Sequence, residues 1–258
     1  MKKDKGKIIS ITSTTGGVGK TITTLNLAGS YHLLGYKVLI IDFDLFGGDI
    51  ALSLNLKCDK TVFNLVLDLS NNRYEKVEDY IYKYNDNIDI ISAPKDPRQA
   101  NKIDSKYIPL ILDSVLYKYD AILIDTTHVL NETNVILFDN SDSILVLFSN
   151  DLYSLKNTRT FISILKDANY TNYSTVLNES ILGRNYYNSY DMRTIIKSNI
   201  DFTIPKTLHI SKIDKIISSG QIPILLNNRK DNKHYELIAK KLIEEVSKWE
   251  KHFLSYLK

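Results

Sequence analysis

A single cysteine, Cys58, is present among 258 residues, so no internal disulfide can form and the chain suits a reducing compartment. No stretch approaches the roughly 18 consecutive apolar residues that a membrane-spanning helix needs. The N-terminus, Met1-Lys2-Lys3-Asp4-Lys5-Gly6-Lys7, has no apolar segment followed by small residues, so we expect no export and a cytoplasmic protein. Charge of one sign is lacking too. The 33 basic and 30 acidic side chains leave a net charge of +3, which by itself implies neither nucleic acid nor an anionic membrane. There is no internal repeat, low-complexity linker or Pro/Gly-rich boundary, and one domain over 1–258 is the simplest expectation. Hydrophobic residues at 43% and charged residues at 24% are ordinary globular proportions and argue against disorder.

What is present is rhythm. Short β-branched runs at Lys7–Thr12, Lys37–Asp42, Asn87–Ser92, Ala121–Asp125, Ser143–Ser149, Ser174–Asn178 and Asp201–Ile204 read as strands. Amphipathic stretches at Lys20–Leu34, Ile103–Tyr117, Leu152–Asp167 and His209–Ser218 read as helices between them. Strands fed by helices in this order predict an α/β fold, a mostly parallel central sheet flanked by helices on both faces. Right-handed crossovers would then place a ligand at the carboxyl ends of the strands. The tyrosine- and asparagine-rich segment from Asn185 to Asn199 reads as a mobile loop leading into a short helix.

The strongest chemical signal follows the first strand. Thr14-Thr15-Gly16-Gly17-Val18-Gly19-Lys20-Thr21 lies between the buried run Ile8-Ile9-Ser10-Ile11 and the helix beginning near Ile22. Glycines let backbone N–H groups turn inward onto phosphate oxygens, and the helix N-terminus adds the positive end of its dipole. This is a P-loop, which assigns ATP and Mg²⁺ as ligands. Thr15, Gly16, Gly17, Val18, Gly19, Lys20, Thr21 and Ile22 form the cradle, with Lys20 on the β- and γ-phosphates and the Thr21 hydroxyl on Mg²⁺. Two apolar strands end in carboxylates, Val38–Asp42 followed by Phe43-Asp44, and Ala121–Asp125. A carboxylate at the tip of a buried strand beside the loop can hold Mg²⁺ directly or through water. Asp125 and Asp42 are therefore candidate metal residues. Lys20, Asp42 and Asp44 are the candidate catalytic ones, with Asp42 or Asp44 acting on the attacking water.

Gly-Gly-Val-Gly-Lys-Thr with Asp42-Phe43-Asp44 about twenty residues on resembles the MinD/ParA family of deviant Walker A ATPases. The segment from Asp44 to Leu56, Ile90-Ile91-Ser92-Ala93-Pro94 and Tyr119–Thr126 are similar to the CpaE/TadZ branch, the localisation ATPases of pilus assembly. The resemblance implies a homodimer with two ATP molecules sandwiched between subunits, switching a pilus or secretion assembly partner. It further implies that Asn178 and Pro205 flank the adenine.

The sequence departs from that family in three places. Thr15 stands where the family's signature lysine would reach the partner's phosphates, and losing such a charge costs on the order of 10²–10³ in rate, so only weak hydrolysis is expected. Position 14 is Thr where the standard loop has Gly. Thr126-Thr127-His128 replaces the usual Thr-Pro-Pro or Ser-Pro of the second switch segment; His128 could sense pH or contact a partner, and a solvated loop histidine is the plainer reading. The branch usually carries a receiver-like domain ahead of the ATPase, whereas here the first strand begins near residue 7.

A helix over about 232–257 is expected from the stripe Ile238, Leu242, Val246, Trp249, Phe253 and Leu257, packing on the sheet as far as about Val246. The tail 250–258 mixes aromatic residues with lysines and loosely resembles the membrane-targeting tail of MinD. Core or partner packing is favoured over weak contact at the inner face of the membrane. Two further functions stand beside the localisation switch. One is a partition protein binding DNA non-specifically, which the 8 Lys/Arg against 5 Asp/Glu over 228–258 do not favour. The other is a non-hydrolysing, nucleotide-bound scaffold. With six arginines in all, the chain offers no arginine-rich lid for a small-molecule kinase.

Overall fold

The computed structural model describes residues 4–180, 187–209, 213–226 and 233–243. The strands are β1 (Lys7–Ser13), β2 (Val38–Phe43), β3 (Tyr82–Lys83), β4 (Ile88–Ile91), β5 (Ala121–Thr126), β6 (Ser143–Phe148), β7 (Tyr173–Asn178) and β8 (Phe202–Ile204). They form one sheet in the order β3-β4-β2-β5-β1-β6-β7-β8, parallel throughout except for the antiparallel β3–β4 pair. Every residue of β1, β2 and β5 is buried, which is why these strands read as near-continuous β-branched runs.

The helices are α1 (Lys20–Leu33), α2 (Ile50–Ser53), α3 (Val62–Ser70), α4 (Ile108–Val115), α5 (Glu132–Asp139), α6 (Leu152–Asp167), α7 (Ser189–Ile196), α8 (Ile213–Ser218) and α9 (Pro223–Leu226), with α10 over 233–243. Alternate strand residues point to opposite faces. On one face Ile9, Ile11, Ile40 and Leu123 pack with Leu25 and Leu27 of α1, Ile224 of α9, and Ile238 and Leu242 of α10. On the other, Ile8, Leu39, Ile41 and Ile124 pack with Leu65 of α3 and Ile111 and Leu112 of α4. Among the described residues no helix is long and apolar enough to cross a membrane.

Several boundaries differ from the sequence reading for identifiable reasons. The helix expected over 103–117 starts as 3₁₀ turns, capped by Asp104 through Lys106 N–H at 3.1 Å, and becomes α-helical only at Ile108, with Pro109 in its first turn. α7 begins at Ser189 because Asn188 accepts from Asp191 N–H at 2.9 Å, while 181–186 of the expected loop lie outside the described residues. Of the expected C-terminal helix, 233–243 is helical, and Val246, Trp249, Phe253, Leu257 and the whole tail 250–258 lie outside the described residues. α10 docks on α1 as well as joining the core, since the Tyr31 hydroxyl donates to Ala239 O at 3.1 Å.

β1 lies between β5 and β6, with β2 beyond β5. The order of connection across the sheet therefore reverses at β1, and a crevice opens where its carboxyl end meets the following loop.

Candidate nucleotide site

The loop after β1 is shaped by its glycines. Gly17 has φ +76° and Gly19 φ +83°, left-handed values that L side chains rarely adopt, and Gly19 sits at the N-cap of α1. No side chain caps that end of the helix. The N–H groups of the first turn are thus presented to the crevice, together with the positive end of the dipole of a 14-residue helix. Behind the loop, the Thr14 hydroxyl meets that of Thr158 on α6 at 3.4 Å, while the buried Thr15 hydroxyl has no hydrogen-bond partner among the described residues.

β2 and β5 are paired in register, Asp42 opposite Asp125, so two buried carboxyls lie side by side at the strand tips. Asp125, with no exposed surface, is the hub of the site. It accepts from Lys20 Nζ at 2.7 Å, from the Thr21 hydroxyl at 2.8 Å and from the Thr24 hydroxyl at 3.5 Å. Burial pushes its carboxyl above the usual range, against the opposing pull of Lys20 and Thr21. Burial alone would push Lys20 down, but the attraction of Asp125, with Asp44 and Asp42 behind it, wins and holds the ammonium above its ordinary value. Lys20 is therefore a fixed cation whose ε-ammonium bridges Asp125 and, at 3.4 Å, Asp44.

The two candidate carboxylates of β2 occupy different environments. Asp42 is buried, and its two oxygens accept the backbone N–H groups of Asp44 and Ile50, each at 3.1 Å. Burial, then the neighbouring Asp125, push it well above the usual carboxylate range. Asp42 thus ties the loop 44–49 to the end of its own strand. The tie is tight: a Cβ on Gly48 would lie 2.6 and 2.7 Å from the Asp42 oxygens and 2.3 Å from Ala93 Cβ. Asp44 instead lines the cleft.

That cleft, about 250 Å³, is walled by the loop from Thr15 to Ile22 on one side and by Asp44, Gly47 and Asp49 on the other. Ser13 and His128 complete it. Residues 15–22 and Asp44 of the sequence reading are brought together here, with Asp125 directly behind Lys20. Asp42 and Asn178 do not line the cleft, and neither does Pro205. Asn178, 3% exposed, donates from Nδ2 to Val18 O at 3.0 Å and accepts from Ser180 through both N–H and hydroxyl. Its amide braces the phosphate loop from the end of β7. Pro205 follows β8 and opens a 3₁₀ turn, two strands away from β6 in the sheet. Sequence reasoning missed Ser13, Gly47 and Asp49, whose approach to the loop depends on how 44–49 folds back; the Gly-Gly pair at 47–48 was the available signal.

A family model described as an AAA domain matches residues 6–181. The chain is 28% identical over 148 residues to an uncharacterised ATP-binding protein of Methanocaldococcus jannaschii, covering 57% of this chain and 55% of that protein. It thus aligns with about half the length of that relative. The solved structure of the cell-division ATPase MinD of Pyrococcus furiosus superposes with a TM-score of 0.76 at 26% identity, covering 95% of this chain and 99% of that one. That of a ParA family ATPase from Chlorobium tepidum superposes with a TM-score of 0.79 at 17% identity, over 93% of this chain and 99% of that one, a likeness of fold alone.

Proposed function

Because the chain belongs to the AAA-domain family, as a P-loop ATPase of the MinD/ParA type, we propose that it is an ATP-binding switch. In this reading MgATP joins two copies into a dimer that acts on a pilus or secretion assembly partner at the inner face of the membrane. The observation that carries the nucleotide reading is the left-handed pair Gly17 and Gly19 opening α1, with Lys20 and Thr21 both anchored on the buried Asp125. The residues fit ATP and Mg²⁺. Backbone N–H groups of Gly17 to Thr21 take phosphate oxygens, Lys20 neutralises the outer phosphates, and the Thr21 hydroxyl and Asp125 carboxylate together offer hard oxygen ligands. Among the described residues no group of three or more His, Cys, Asp or Glu is arranged to hold a metal ion. The ion's remaining ligands would be phosphate and water, as Mg²⁺ prefers. When bound, it offsets phosphate charge and orients the terminal phosphoryl group.

Asp44 is our choice for orienting the attacking water, because it lines the cleft beside Lys20. Asp42, with both oxygens engaged by backbone N–H groups, shapes the loop instead. Asn178 and Pro205 keep their adenine-side assignment through the resemblance; in this conformation Asn178 braces Val18. Weak hydrolysis follows from Thr15, which offers no positive charge to phosphate. Self-association is supported by exposed apolar side chains on the loops beside the cleft, Phe46 at 52%, Val129 at 54% and Leu130 at 39% exposure. The pilus partner rests on the segment from Asp44 to Leu56, and contact of the tail with a membrane on residues 250–258.

Molar mass by light scattering, without nucleotide, with MgADP and with MgATP, tests the switch, with Lys20→Ala as control. A dimer that forms with MgATP and is lost in Lys20→Ala is the expected result. A mass that ignores nucleotide would refute the switch and leave the constitutive scaffold, and retention of long duplex DNA on filters at moderate salt would favour the partition reading.

A further inference from the structure

The cleft is short of positive charge. Among the described residues Lys20 is the one Lys or Arg side chain that lines it, already shared between Asp125 and Asp44, and Asp49 adds a further acid to the wall. A nucleoside triphosphate carries one more phosphate group than a diphosphate, and the chain must hold it with what remains. Among the described lining residues only one other side chain carries a nitrogen donor, and that is His128.

His128 is exposed, yet its backbone is not free to wander. It lies two residues beyond β5, and the buried side chain of Asn134 on α5 grips the loop on either side of it. Asn134 Nδ2 donates to Thr127 O at 3.1 Å and to Val129 O at 3.0 Å. The loop's root is held as well, since the Thr126 hydroxyl donates to Ile11 O of β1 at 3.0 Å. The buried amide thus holds the carbonyls on both sides of His128 and fixes the exposed loop there. The side chain so positioned faces the same cleft as Lys20.

We propose that His128 donates an imidazole N–H to the terminal phosphate of the bound triphosphate, and so lets the chain distinguish ATP from ADP; Asn134 is its positioning residue. This inference rests on the nucleotide reading above. It assigns to His128 a direct contact with ligand, in place of the solvated loop role that the sequence suggested.

Calorimetric titration of the full chain with MgAMPPNP and with MgADP tests it, using wild type, His128→Ala, His128→Gln and Lys20→Ala. At the lower end of its usual strength, a hydrogen bond to a charged group corresponds to about a tenfold change in affinity. His128→Ala should therefore bind MgAMPPNP about tenfold more weakly while binding MgADP as wild type does. The unchanged MgADP affinity also shows that the variant is folded. His128→Gln, which keeps an N–H donor, should recover part of the loss. Equal affinities of His128→Ala and wild type for both ligands would overturn the inference and leave the nucleotide site standing, as would an equal loss for both. If wild type binds neither ligand, the nucleotide reading itself fails and the inference falls with it.

Discussion

Lys20→Met separates the structural part of Lys20 from its ligand chemistry. Lys20 is 8% exposed, and methionine keeps most of its unbranched stem while removing the charge. Asp125 is then left with no exposed surface and no cation at hydrogen-bond distance, though the Thr21 and Thr24 hydroxyls remain at 2.8 and 3.5 Å. Breaking a buried pair by removing one partner costs about 3–5 kcal/mol. The surviving hydroxyls place this case near the lower end, about 3 kcal/mol, or roughly 6–12 °C in Tm for a chain of this size. The pH dependence has a definite sign. Asp125 already titrates above the ordinary carboxylate value of 3.8, and Lys20 is the main influence opposing that rise. Without Lys20 the folded-state value climbs further. A carboxyl raised on folding destabilises where it is charged, so the deficit against wild type should be full above the variant's folded value and shrink as pH falls from it toward the wild-type folded value. Urea unfolding of the nucleotide-free protein at pH 7.5 and pH 6.0 measures this, with Lys20→Met/Asp125→Asn as the second variant. The double variant should recover all but about 1 kcal/mol, because an amide can be buried without charge. A single variant as stable as wild type at pH 7.5, or a deficit that Asp125→Asn leaves in place, would refute the reasoning.

Two further substitutions probe the walls of the site. Gly48→Ala should lose about 1–3 kcal/mol of stability in urea, since the new Cβ would crowd the Asp42 oxygens at 2.6 and 2.7 Å and Ala93 at 2.3 Å; wild-type stability would show that loop 44–49 yields freely. Asn178→Ala removes the donor to Val18 O and should cost about 1–3 kcal/mol of stability through the unpaired carbonyl, together with weaker MgADP binding by titration calorimetry. Unchanged stability with weaker binding would instead assign Asn178 to the ligand alone.

The sheet was legible where burial on both faces imposes one chemistry. β1, β2 and β5 are apolar through their length apart from the polar residues at their carboxyl ends and Lys7 and Ser10 of β1, so pattern alone located them and the carboxyls at their tips. β3 was illegible because Tyr82–Lys83 is too short for any period and pairs only through its antiparallel contact with β4. The phosphate loop was legible because left-handed φ at 17 and 19 demands glycine, and glycine is visible in sequence. The different environments of Asp42 and Asp44 were not, since both follow the same strand. Only the fold-back of 44–50, which brings Ile50 N–H onto Asp42, separates them. His128 was visible as a departure from a family pattern, but its anchorage depends on Asn134, a polar residue that sequence gives no reason to place in the interior.

The sheet has little to offer a second sheet. Among the described residues its outermost members are β3 with two residues and β8 with three, well short of the roughly five or six residues of an ordinary strand. Growth by lateral addition, one copy's backbone ladder continuing into the next, would find at each margin only a rung or two on which to register. Copies of this chain are therefore better able to meet through side chains and loops than through these two margins. A contact of that kind can be made and released as loop conformation changes, without unzipping any part of the folded backbone.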